Sequence, residues 1–102
     1  MGAQIRVRSH ILLLKEEGVG IEKAYLYGSH ADGTATKESD IDILLVLKDI
    51  DNEDDYLSGK IWALTRKINT RIEPYIVGFE KFNKDNVSPL MQSIKKEGLP
   101  VS

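Results

Sequence analysis

Asp40 and Asp42 stand one residue apart at the start of an apolar run, IDILLVL (Ile41 to Leu47), and Gly28-Ser29 stands ten residues before them. If that run is a strand, the two aspartates project from the same face with Cα atoms about 6.5–7 Å apart. Carboxylates so placed repel each other unless a cation or a strong donor compensates. A hard divalent cation such as Mg²⁺ takes carboxylate oxygens and completes its shell with water and substrate phosphates. Two carboxylates alone hold such an ion weakly, so a phosphate should complete the site. Gly28-Ser29 offers it a seat. Glycine lets the backbone approach closely, the serine hydroxyl can donate, and a helical turn after it would aim N–H groups at an anion. A metal-binding strand beside a phosphate-binding turn is the minimum hardware for phosphoryl or nucleotidyl transfer.

A third carboxylate lies in RIEPYIV (Arg71 to Val77). In a strand, Arg71, Glu73, Tyr75 and Val77 share one face while Ile72 and Ile76 take the other. Placed across from Asp40 and Asp42, Glu73 would help bind a cation or accept the proton of an incoming hydroxyl. The plain alternative is a surface acid paired with Arg71.

These residues need elements to position them. The 102 residues suit one domain, 1–102, and 41% hydrophobic with 29% charged residues is a globular rather than a disordered composition. One core is affordable at this size, a deeply enclosed active site less so. Ile5, Val7, Ile11, Leu12 and Leu14 form a helical stripe that stops at Gly18. IEKAYLY (Ile21 to Tyr27) reads as a strand ending at Gly28, and IDILLVL as a second strand, apolar on both faces. Leu57, Ile61, Leu64 and Ile68 recur at helical spacing, giving an amphipathic helix over roughly Glu53 to Asn69. Pro74 marks the third strand as an edge or bulged one. Ser88-Pro89 reads as the N-cap and first residue of a short helix ending before Gly98. The expectation is an α+β fold: a small mixed sheet of three or four strands with helices packed on one face.

The sequence resembles the polymerase-beta-like nucleotidyltransferase superfamily. Gly28-Ser29, ten residues, then Asp40-Ile41-Asp42 match its motif, and Ala31, Gly33 and Ser39 match its smaller members. Length, the IEPYIV strand and the tail SPLMQSIKKEG are similar to the minimal nucleotidyltransferases. The resemblance runs from Ile21 to Gly98. It implies a bound nucleoside triphosphate, ATP, with two Mg²⁺ ions, and transfer of a nucleotidyl group to a hydroxyl. Many of these proteins are antitoxins of a helical HEPN-domain toxin and transfer AMP to a tyrosine of it. Carried over by position, Gly28 and Ser29 would hold the triphosphate, and Asp40, Asp42 and Glu73 would hold the metals as the catalytic acids. Asp32 stands where relatives often carry a base, and the third acid is Glu rather than the commoner Asp and precedes a proline.

Other residues have plainer readings. His30 is a phosphate neighbour or an exposed loop histidine, and Tyr27 is core or cleft wall. Asp49, Asp51, Glu53, Asp54 and Asp55 read as a solvated loop whose last acids favour a helix N-terminus. Arg6 and Arg8 read as a solvated helix face. Leu44 and Val46 continue the carboxylate face of their strand, and Trp62 lies off the helix stripe; such apolar positions suit a partner surface, or the final helix covers Leu44 and Val46 instead. Net charge −2 argues against a general nucleic-acid surface. Absence of cysteine excludes a disulfide framework and a thiolate metal site and fits a reducing cytoplasm. No stretch approaches a membrane span or a signal-peptide core. Two other functions remain open: an antitoxin acting mainly by contact, and a small-molecule nucleotidyltransferase, which normally carries a further domain.

Overall fold

A computed structural model describes residues 2–36, 38–48, 55–85 and 87–101. Among these, the chain runs α1 (Gly2–Glu16), β1 (Ile21–Tyr27), α2 (Ser29–Asp32), β2 (Ile41–Leu47), α3 (Asp55–Ile68), β3 (Ile72–Gly78), α4 (Phe79–Lys84), α5 (Pro89–Glu97) and β4 (Leu99–Pro100). The sheet order is β3-β2-β1-β4, with β1 antiparallel to β2 and β4, and β2 parallel to β3. The fold is α+β with a mixed sheet. As expected from Pro74, β3 lies at an edge, where its missing N–H leaves no ladder bond unmade. The acidic residues Asp49, Asp51, Glu53 and Asp54, and the side chain of Asp55, lie outside the described residues.

Alternation along β2 explains how the layers form. Ile41, Ile43, Leu45 and Leu47 point to one face and pack with Val7, Ile11 and Leu14 of α1 and Ile61 of α3. Leu44 and Val46 point to the other and pack with Phe82 of α4 and Met91 and Ile94 of α5. Helices therefore cover both faces of the sheet rather than one. The physical reason lies in β2, a central strand whose apolar residues occupy both parities; leaving either set wet would forfeit about 1.5–3 kcal/mol per large side chain. The final helix, not a partner, covers Leu44 and Val46. Its start is the one anticipated, with Ser88 Oγ accepting from the Met91 amide at 3.4 Å and Pro89 opening the helix. Helix α4 and the two-residue β4 were not anticipated, being too short to show a period.

The helical stripes are narrower than the sequence suggests. In α1, Val7, Ile11 and Leu14 are buried together with His10, whereas Ile5 and Leu12 are exposed. In α3, Ile61 is fully buried and Ile68 is exposed. Trp62 is half-buried, its ring carrying the Arg66 guanidinium at 5.0 Å. Within the described residues no helix is long and apolar enough to cross a membrane.

His10 ties α1 to α3 with its Nε2 2.9 Å from Thr65 Oγ1. Thr65 donates its own hydroxyl proton to the Ile61 carbonyl at 2.7 Å, so the histidine must be the donor in the first bond. The neutral ring thus carries its proton on Nε2, leaving a buried Nδ1 with no partner among the described residues. Burial holds the His10 pKa below its ordinary value of 6.5. Because the folded pKa is the lower one, protonation favours the unfolded chain; this stability is complete above pH 6.5 and is lost as pH falls. Thermal melts between pH 7.5 and 5 should show His10→Gln less acid-sensitive than wild type, by no more than about 1.4 kcal/mol per pH unit, the limit for one proton. Parallel pH profiles in the two proteins would count against it.

Candidate active site

Strand β1 leaves the sheet through Gly28, whose φ of 74° and ψ of −151° belong to a region open in practice to glycine alone. The four-residue α2 follows. The Gly28 carbonyl accepts from the Ala31 and Asp32 amides at 3.0 and 3.1 Å, closing the turn. A second left-handed glycine, Gly33, ends it, and the Ser29 carbonyl accepts from the Thr34 and Ala35 amides. The loop then returns to β2, whose first amide, Ile41, donates to the Arg71 carbonyl at 2.7 Å. His30 Nε2 lies 3.4 Å from the Ser39 carbonyl, linking the turn to the residue before Asp40.

Strand register assembles the acids. Asp42 is the register partner of Tyr27 on β1 and of Glu73 on β3. Register partners share a face, so Tyr27, Asp42 and Glu73 form one row across the sheet, on the side that α4 and α5 cover further along. Asp42 and Glu73 are thus brought together across two strands, with exposed Asp40 preceding β2. Burial pushes the Asp42 carboxyl above the ordinary range, and the negative charges of Asp40 and Glu73 push it further; His30 opposes them. The Tyr27 hydroxyl is driven up to about 12 by burial and then by the Asp42 charge and Tyr75.

These carboxylates do not form a finished cage. Among the described residues, no group of three or more His, Cys, Asp or Glu side chains stands in a metal-holding arrangement. Like charges with nothing between them keep apart. Glu73 instead approaches a cation, with Arg66 Nη2 3.5 Å from its Oε1. Arg71, the partner anticipated for Glu73, has its Nη2 3.4 Å from Glu38 Oε2. Chemically, the row offers hard oxygen donors whose mutual repulsion a divalent cation would relieve.

Gly28 and Asp42 are in closest contact. A Cβ at Gly28 would stand 2.6 Å from Asp42 Oδ2, so the absence of a side chain is what lets the turn lie against the carboxylate. Beside Gly28 opens a cleft of about 510 Å³ between Tyr27, Ala31 and Asp32 on one side and Leu90, Ser93 and Glu97 on the other. Tyr27 as cleft wall was legible in the sequence. Arg66 and the three α5 residues were not, because nothing in their spacing tells which way α5 lies.

Gly28→Ala should cost about 1–3 kcal/mol from backbone strain alone, with a steric term against Asp42 added. Chemical denaturation should find that cost smaller in an Asp42→Ala background; an unchanged cost would mean the two residues do not touch. Asp42→Asn should raise the apo protein's melting temperature at neutral pH. The folded carboxyl has the higher pKa, so its charge destabilises the fold increasingly as pH rises through the carboxylate range. The gain should vanish at low pH, where the carboxyl is neutral in both states. A loss of stability at neutral pH would contradict the repulsion.

Known proteins resemble this chain in sequence and in fold. The family described as "Polymerase beta, Nucleotidyltransferase" matches residues 11–101. A protein of Methanocaldococcus jannaschii named "Putative protein adenylyltransferase" is 33% identical over 99 residues, spanning 96% of each chain. The crystal structure of a "putative nucleotidyltransferase" from Sulfolobus solfataricus superposes with a TM-score of 0.65 at 22% identity, over 97% of this chain and 82% of that one. A crystal structure described as "the toxin-antitoxin with AMP-PNP" gives 0.62 at 21% identity, over 93% and 72%. Those two likenesses speak for the fold, while the match over residues 11–101 and the 33% identity establish descent: this chain belongs to the polymerase-beta nucleotidyltransferase family.

Proposed function

We propose that the chain, as a single nucleotidyltransferase domain over 1–102, transfers AMP from ATP to a hydroxyl on a partner protein. The partner is a HEPN-domain toxin, and the chain acts as its antitoxin in the cytoplasm. One observation carries the reading most: Asp42 and Glu73 are register neighbours with Asp40 two residues before Asp42, and Asp42 lies against the side-chain-free Gly28. The name of the M. jannaschii relative and the toxin–antitoxin with AMP-PNP among similar structures support the nucleotide and the partner.

Each residue has a role in this reading. Gly28 gives the triphosphate access to the backbone of the turn, and Ser29 donates its hydroxyl to a phosphate oxygen. Asp40 and Asp42, with Glu73, would hold Mg²⁺; their donor chemistry fits a hard cation, as does the like-charge repulsion that, after burial, raises the Asp42 pKa. Bound divalent ions would neutralise the triphosphate and the departing pyrophosphate. The acceptor oxygen forms a bond to the α-phosphorus while the bond to pyrophosphate breaks. Glu73 takes the hydroxyl proton, with Arg66 Nη2 standing 3.5 Å from its Oε1.

A second reading has an observation of its own. Among the described residues the acids form no ready metal cage, and exposed Asp32 adds negative charge to the turn. An antitoxin that blocks its toxin mainly by contact would need nothing more. Incubation with ATP, Mg²⁺ and the HEPN partner, followed by intact-mass spectrometry, separates the two. Transfer predicts an added AMP on the partner, lost by at least about a hundredfold in Glu73→Gln with nucleotide binding largely kept. An unmodified but silenced toxin selects the contact reading, and full transfer by Glu73→Gln makes Glu73 a surface acid.

A further inference from the structure

The cleft beside Gly28 shares that glycine and Tyr27 with the row of acids, yet its own chemistry is different. Its apolar walls are Tyr27, Ala31 and Leu90, and its polar lining is Asp32, Ser93 and Glu97. Among the described residues, no lysine or arginine lines it. Asp32 is charged there, since the Thr34 amide and hydroxyl donate to its Oδ1 at 3.0 and 2.6 Å and hold its carboxyl below the usual range. A phosphate would meet repulsion on entering. A flat ring carrying N–H donors would not: the apolar walls suit its faces, and carboxylate and hydroxyl oxygens suit an amino edge. At about 510 Å³ the cleft has room for a nucleoside.

We propose that this cleft seats the base of the nucleotide, with Glu97 and Ser93 of α5 accepting from its exocyclic amino group. The inference rests on the nucleotidyl-transfer reading above, because one ribose joins the base to the α-phosphate, which that reading sets at the acids, where Asp42 lies against Gly28. This cleft touches Gly28; the cleft of about 370 Å³ lined by Arg8, Ile11, Leu12, Lys15 and Val101 shares no residue with it. The base of a purine nucleotide with an amino group is therefore selected over one with a carbonyl at the same position. A carbonyl oxygen facing Glu97 would set acceptor against acceptor.

Adenine and hypoxanthine differ at that group and at the adjoining N1, which carries a proton only in hypoxanthine, so ATP and ITP are the probes for an amino donor at that position. Calorimetry on the full chain with Mg²⁺ should find ATP bound roughly fivefold more tightly than ITP, the exposure of Glu97 keeping the factor modest. Glu97→Gln should bring the two close to parity, because an amide can donate to the carbonyl as well as accept from the amine. Ser93 is exposed, so Ser93→Phe can fill the cleft without entering the core. It should weaken ATP about tenfold or more while leaving inorganic tripolyphosphate unaffected, with circular dichroism confirming the fold. An ATP:ITP ratio unchanged by Glu97→Gln, or ATP binding unchanged by Ser93→Phe, would overturn the inference and leave the cleft to the acceptor. If wild type bound neither ATP nor tripolyphosphate, the transfer reading itself would fall, and this one with it.

Discussion

The charge of Asp42 is held half-buried at the rim of the sheet, where Asp40 and Glu73 both repel it. Nothing about folding asks for this. The same face of β2 continues into Leu44 and Val46, which α4 and α5 close over. An apolar residue at position 42 would extend that closed layer. The chain instead stops its second hydrophobic layer one residue short and keeps an acidic edge. Gly28 makes the exposure useful, because without a side chain the turn after β1 comes into contact with the Asp42 carboxylate. A side chain there would have to move the acid or the turn.

The rest of the fold can be understood as support for that edge. Both faces of the sheet are covered, so β2 is anchored along its length and its first residues are placed by register rather than by loop conformation. The parallel pairing of β2 with β3 is what sets Glu73 beside Asp42, and it requires the α3 crossover between them. The His10–Thr65 bond fastens α3 to α1 at the cost of one unpartnered ring nitrogen. On the opposite face, α5 both buries Leu44 and Val46 and presents Leu90, Ser93 and Glu97 to the cleft. Core packing and cleft lining are two sides of one short helix.

Much of this was legible in the sequence, and the pattern of what was not has physical causes. Parity along IDILLVL gives both the paired aspartates and the two buried faces, since side-chain direction in a strand is local. Gly28-Ser29, the Ser88-Pro89 helix start and the edge position of Pro74 are likewise local constraints. Neighbour relations are not. That Glu73 faces Asp42, or that Arg66 rather than Arg71 approaches it, depends on register across a crossover helix that no spacing encodes. Two-sided packing was implicit in the apolar parities of β2, but choosing α5 over a partner as the cover needed the path of the chain after β3. His10 was hidden because a histidine inside an apolar stripe reads as a break in it.

The proposed reading turns on Asp40 and Asp42 together receiving a cation and a phosphate at this edge. Thermal melts of wild type and of the Asp40→Asn, Asp42→Asn double variant, with and without Mg²⁺ and ATP, test this directly. The account predicts that Mg²⁺ with ATP raises the wild-type melting temperature, by the equivalent of about 2.7 kcal/mol at a hundred times Kd, and leaves the double variant unmoved. An equal rise in both proteins would contradict it, for the ligands would then be held without the aspartates.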